Sequence, residues 1–233
     1  MQEATIILIP GLLCDAYVWQ PLLKVLGGRA LVADLTTQES ITQMARDCLA
    51  MAEGPLALAG HSMGARVAME MAHLAPRRIE RLALLDTGIA PLREGEVEKR
   101  AEVVRLAYED GMAALAERWL PGMVWQGNQS NTELMAELRA MVLRQTPESH
   151  ERQIGALVAR PDASGYIGAI RSPTLLMVGR FDAWSPVAQH ERMRDLLPNA
   201  RLEIIEDAGH FAPVEQPEAV AEPLADFLLG KLS

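Results

Sequence analysis

The chain has 233 residues, 49% of them hydrophobic, and a formal charge of −9. That composition can bury one substantial core, which excludes a disordered chain, and the negative net field disfavours nucleic acid or an anionic membrane surface as a main partner. Met1 to Thr5 hold no basic stretch and the apolar run Ile6 to Ile9 is too short for a leader or a membrane span, so a soluble cytoplasmic protein, monomer or homodimer, is expected.

Thr5 to Ile9 reads as a fully apolar strand, followed by the loop Pro10-Gly11-Leu12-Leu13-Cys14-Asp15 and an amphipathic segment from Val18 to Leu26. Ala30 to Leu35 predicts a second strand. Ser40 to Gln43 has the form of a capping box, and behind it Ile41, Met44, Ala45, Cys48 and Ala52 share one helical face. Pro55 to Ala59 is a third strand and Ala65 to Ala75 a helix, on which Arg66, Glu70, His73 and Arg77 form a polar stripe expected to face solvent. Leu82 to Leu85 is a fourth strand, ending at Asp86-Thr87-Gly88. Strands alternating with helices specify a parallel sheet covered on both faces.

The alternation breaks between residues 91 and 170. Val97, Ala101, Val104 and Tyr108 line one helical face there, and Leu134, Leu138, Met141 and Val142 another. This stretch is read as a helical cap inserted into a core formed by residues 1–90 and 171–233. Thr174 to Val178 resumes the sheet, Val187 to Leu197 is a helix, Arg201 to Ile205 a last strand, and Pro217 to Leu229 a closing helix that Pro223 should kink or split.

Gly60-His61-Ser62-Met63-Gly64 sits between a strand and a helix, where a sharp turn exposes a serine and the flanking glycines avoid clashes with neighbouring backbone. A serine hydroxyl is a poor nucleophile near neutral pH, so it needs a histidine to take its proton and an acid to orient that histidine. Of the five histidines, His73 lies on the polar stripe, His150 and His190 lie in charged helical stretches and read as surface residues, and His61 should point away from Ser62. His210 follows the last strand, on the rim where ligands of open α/β sheets bind. Asp182, after the strand Thr174 to Val178, is the expected acid. Asp86, at the end of the fourth strand, is its competitor.

The backbone N–H groups of Leu12 and Met63 are the expected oxyanion donors. Trp125, Trp184 and Phe211 are candidate substrate-binding walls. Met112, Trp119, Met123, Met135, Met141 and Tyr166 give the cap a large apolar supply. Arg66 could bind a carboxylate, but pairing with Glu70 is the simpler reading. Cys14 and Cys48 have no metal-ligand spacing and read as free thiols, and no metal or organic cofactor is called for.

The order Ser62, Asp182, His210, together with the elbow and Pro10-Gly11, resembles the α/β-hydrolase family over nearly the whole chain, and within it small, cap-bearing esterase-like and lactonase-like bacterial members. Pro10-Gly11 stands where that family usually has His-Gly, and Trp19 corresponds to a tryptophan often seen a short distance after that glycine. The resemblance implies an all-parallel six-stranded sheet in the order second, first, third, fourth, fifth, sixth. It also implies a serine hydrolase for a small, mostly apolar ester, thioester or lactone. Two alternatives stay open: a carbon–carbon hydrolase or elimination catalyst on the same residues, and a non-catalytic ligand sensor. A serine in place of aspartate at the elbow disfavours a dehalogenase.

Overall fold

A computed structural model describes residues 3–231. The strands β1 (Thr5–Ile9), β2 (Ala30–Val32), β3 (Leu56–His61), β4 (Ile79–Leu85), β5 (Thr174–Gly179) and β6 (Ala200–Ile205) form one sheet in the order β2-β1-β3-β4-β5-β6, every pair parallel. This is the expected strand order. Strands β3 and β5 are buried along their whole length, as apolar runs covered on both faces must be, while edge strand β6 is only partly covered. The other edge, β2, ends at Val32 and not at Leu35. Past that point only the Ala33 N–H still reaches β1, bonding Leu8 O.

Alternate residues feed two cores. Ile6, Leu8, Ala57, Ala59, Ala83 and Leu85 face α1 (Gln20–Leu26) and the closing helix Pro217–Leu228. Ile7, Ile9, Leu58, Leu82 and Leu84 face α2 (Ile41–Ala50) and α3 (Met63–Leu74). The cap of α2 differs slightly from the expected box: Ser40 accepts from Gln43 N–H, but Gln43 reaches back to the N–H of Glu39.

Four α-helices lie between β4 and β5, with short 3-10 turns among them: α4 (Glu96–Glu109), α5 (Gly111–Trp119), α6 (Thr132–Leu143) and α7 (Pro147–Val158). On α6 the expected face Leu134, Leu138, Met141 and Val142 is buried. On α4 it is not. Val97, Ala101 and Tyr108 point outward and Ala107 is the buried residue, with Val103 and Leu106 packed beside it. Apolar residues occur on both sides of α4, and which side packs is decided by its contact with α5 and α7.

The helices α8 (Val187–Leu196), α9 (Ala212–Glu215) and α10 (Pro217–Leu228) complete the chain. Helix α10 runs through Pro223 unbroken, so of the expected kink or split the split does not occur. The polar stripe on α3 also differs from expectation. Glu70 is buried and accepts from Thr42 Oγ1 on α2, and Arg66 donates to Ala90 O instead of pairing with Glu70. Both cysteines are free and buried. Among the described residues no helix is long and apolar enough to cross a membrane.

Candidate active site

Because all six strands are parallel, the loops after β3, β4, β5 and β6 leave one rim of the sheet, and they carry Ser62, Asp86, Asp182 and His210. Ser62 sits at φ 53°, ψ −113°, a conformation a side-chain-bearing residue keeps only where its surroundings hold it. The Ser62 N–H donates to Leu85 O at 2.9 Å, and Thr87 Oγ1 donates to Ser62 O at 2.9 Å. A Cβ on Gly60 would lie 2.5 Å from Ala65 Cα, and one on Gly64 would lie 2.5 Å from Pro10 O. The glycines therefore let the turn close on α3 on one side and on the end of β1 on the other.

The His210 ring lies between Ser62 and Asp182. Its Nε2 is 2.8 Å from Ser62 Oγ and its Nδ1 is 2.8 Å from Asp182 Oδ2. Asp182 Oδ1 accepts from the N–H groups of Trp184 (2.8 Å) and Ser185 (2.9 Å), so the carboxylate is fixed from both ends. Burial pushes Asp182 up, but the His210 ring and those two N–H groups outweigh it and hold the carboxyl below the usual range.

Asp86 has a different setting. It is fully buried and its Oδ1 accepts from Gly179 N–H at 2.9 Å, while Oδ2 has no hydrogen-bond partner. Burial and the charge of Asp182 push its carboxyl well above the usual range. Two neighbouring carboxyls are thus driven apart, one toward the ionised and one toward the neutral form.

The His61 ring lies 5.3 Å, centroid to centroid, from the His210 ring and makes no hydrogen bond to Ser62. Its Nε2–H donates to His210 O at 2.7 Å, and its ring stacks on Phe211 with centroids 5.6 Å apart. Burial, then His210, pulls its pKa down to about 3, so its 3.9 Å approach to Asp86 is not an ion pair. The oxyanion candidates lie beside the elbow. Met63 is the first residue of α3, so its N–H has no acceptor within the helix. A Cβ on Gly11 would lie 3.2 Å from that of Ser62, which shows how closely the Leu12 loop passes. The adjacent Leu13 N–H is taken by Gln153 Oε1 of α7 at 2.9 Å.

The three candidate walls occupy different places. Trp125 stacks on Phe181 at 5.0 Å between centroids, beside Asp182. Trp184 is 53% exposed, whereas Phe211 is fully buried beside the His210 ring and edge-on to Trp119. Trp19 is wholly in the core. Sequence reasoning did not single out Phe181, Gln153 or Glu215. An aromatic residue next to Asp182 was the available signal for the first, while the other two are polar helix residues whose burial no local pattern marks. Among the described residues no group of three His, Cys, Asp or Glu is arranged to hold a metal ion.

His150 and His190 are buried, not on the surface, and burial pulls both pKa values down to about 4. His190 Nε2 accepts from Thr87 N–H at 3.0 Å, so a protonated ring would set one N–H against another. With the folded pKa below the unfolded value near ~6.5, the unfolded chain takes up the proton first. The contribution of His190 is therefore complete above ~6.5 and is lost as pH falls toward about 4, on the order of 2 kcal/mol at pH 5. Asp86 and Glu215, raised by burial, act in the opposite sense, so a difference measurement is needed. Thermal unfolding of His190→Asn should show a weaker loss of stability from pH 7 to 5 than the parent; an identical loss would refute the assignment.

A model of the alpha/beta hydrolase family matches residues 6–222. The pimeloyl-(acyl-carrier protein) methyl ester esterase of Photobacterium profundum is 26% identical over 245 aligned positions, covering 97% of this chain and 95% of that protein. A 2-hydroxy-6-oxononadienedioate/2-hydroxy-6-oxononatrienedioate hydrolase of Cupriavidus pinatubonensis is 28% identical over 176 positions, covering 72% and 60%. Among solved structures, a thermophilic esterase from Thermogutta terrifontis with malate bound superposes with a TM-score of 0.88 at 28% identity, over 97% of this chain and 90% of that one.

Proposed function

The chain belongs to the alpha/beta hydrolase family, and from that premise we propose that it is a serine hydrolase cleaving a small, mostly apolar carboxylic ester, thioester or lactone through an acyl-enzyme on Ser62. The observation that carries this reading is the continuous chain from Ser62 Oγ through His210 to Asp182, both links 2.8 Å, with the serine held at positive φ.

In the resting tautomer His210 Nδ1–H donates to Asp182 Oδ2, which leaves Nε2 free to accept from the Ser62 hydroxyl. Attack on the substrate carbonyl transfers the Ser62 proton to Nε2, and the imidazolium so formed is stabilised by the ionised Asp182. The oxyanion is met by the N–H groups of Leu12 and Met63, the second at the positive end of α3. Nε2 then returns its proton to the leaving alcohol or thiol. A water, deprotonated by Nε2, attacks the acyl-enzyme; as the tetrahedral intermediate collapses, Nε2 returns the proton to Ser62 Oγ and the acid is released.

Residues 91–170 act as the cap over this rim, with Trp125 and Trp184 as walls and Phe211 backing the base. The esterase relatives support the ester bond as the target. The test is steady-state hydrolysis of p-nitrophenyl esters of graded acyl length. Turnover with an optimum at short to medium acyl chains is expected. Absence of turnover across the series would reject the ester reading, and carbon–carbon cleavage or elimination on the same residues would then be assayed.

A further inference from the structure

Glu215 is a buried carboxylate at the end of α9, and every hydrogen bond it makes is accepted from a donor. Its Oε1 takes the N–H groups of Gly209 (2.9 Å) and Phe211 (3.1 Å), the two neighbours of His210. Its Oε2 takes the N–H of Trp125 (2.9 Å) and the side-chain amide of Asn128 (3.0 Å), both in the segment between α5 and α6. Two further bonds join the same two loops directly: His210 N–H to Met123 O at 2.7 Å, and Asn128 Nδ2 to Asp207 O at 2.8 Å. A Cβ on Gly209 would lie 2.6 Å from Trp125 N and 2.7 Å from Met123 O, so the loops are packed backbone to backbone.

We propose that Glu215 is a positioning residue that locks the His210 loop to the cap loop 123–128, so that the base is aligned by the cap as well as by Asp182. This inference rests on the serine hydrolase reading above. Its chemistry is specific to a carboxylate, because two oxygens must each accept two N–H groups. A glutamine has one accepting oxygen and one NH2. Placed at this position it can satisfy the base loop or the cap loop, and it sets a donor against donors on the other side. An unmet or opposed N–H beside His210 allows the ring to shift, and a displacement of the order of 1 Å lowers catalysis by up to about 10²-fold.

The decisive variant is Glu215→Gln, with Asn128→Ala as a milder cut of the cap arm and Ser62→Ala as control. In folded Glu215→Gln, kcat for a short p-nitrophenyl ester should fall about tenfold or more with KM little changed. The low-field proton resonance of the His210–Asp182 hydrogen bond should weaken in parallel. Asn128→Ala should lower kcat by a smaller factor in the same pattern. A folded Glu215→Gln protein with parental kcat and an unchanged resonance overturns the inference. If Glu215→Gln does not fold, Asn128→Ala decides: lowered kcat at constant KM supports the lock, and parental kcat rejects it. Turnover surviving in Ser62→Ala would instead reject the underlying hydrolase reading, whatever Glu215 does.

Discussion

Ser62→Ala should lower ester turnover by about 10⁴-fold or more while leaving the protein folded. On the proposed mechanism the substitution removes the oxygen that would form the acyl bond, and it leaves His210 Nε2 without its 2.8 Å partner. Alanine tolerates the strained φ of 53° no worse than serine does, and the bonds that hold the turn, Ser62 N–H to Leu85 O and Thr87 Oγ1 to Ser62 O, are made by backbone atoms of residue 62. Stability should therefore change little. His210→Ala should be comparably inactive, and the double variant no worse than either single one, because in the proposed mechanism the two groups share one proton transfer. Parallel kcat measurements and thermal melts check this; an additive double loss would mean that the groups act separately.

Asp182→Asn should lower kcat by about 10⁴-fold, and Asp86→Asn by less than about tenfold. An asparagine at 182 can turn its NH2 toward His210 and favour the tautomer with the proton on Nε2, which cannot accept from Ser62. Its remaining oxygen would still accept from the Trp184 and Ser185 N–H groups, so the loop should survive. At position 86 the carboxyl is already driven toward the neutral form, and its one bonded oxygen accepts from Gly179 N–H. An amide reproduces that bond and tolerates the φ of 49° there. Kinetics of the two variants side by side test the pair. A larger loss at Asp86 would reassign the acid.

The meeting of the candidate residues was legible in the sequence where topology fixes their placement. A serine in a glycine-flanked strand-to-helix turn, and a histidine and an aspartate directly after later strands, must meet on one rim if the sheet is parallel. Alternating strands and helices made a parallel sheet legible, while its strand order came from the family resemblance; the buried face of α6 was legible because its apolar pattern admits one reading. Helix α4 was not, because Val97, Ala101 and Tyr108 make as good a stripe as Val103, Leu106 and Ala107, and only packing against its neighbours chooses. Buried polar residues were the hardest to foresee. His190, Glu70, Gln153 and Glu215 look like surface residues in their own helices, and their partners Thr87, Thr42, Leu13 and Gly209 are distant in sequence or lie in turns.

The central claim is that Ser62 is the nucleophile, and covalent labelling by a fluorophosphonate tests it most directly. Intact-mass analysis should show one adduct per chain, peptide mapping should place it on Ser62, and ester turnover should disappear in step with labelling, with no adduct on Ser62→Ala. Full turnover in labelled protein, or an adduct carried by another residue, would contradict the account.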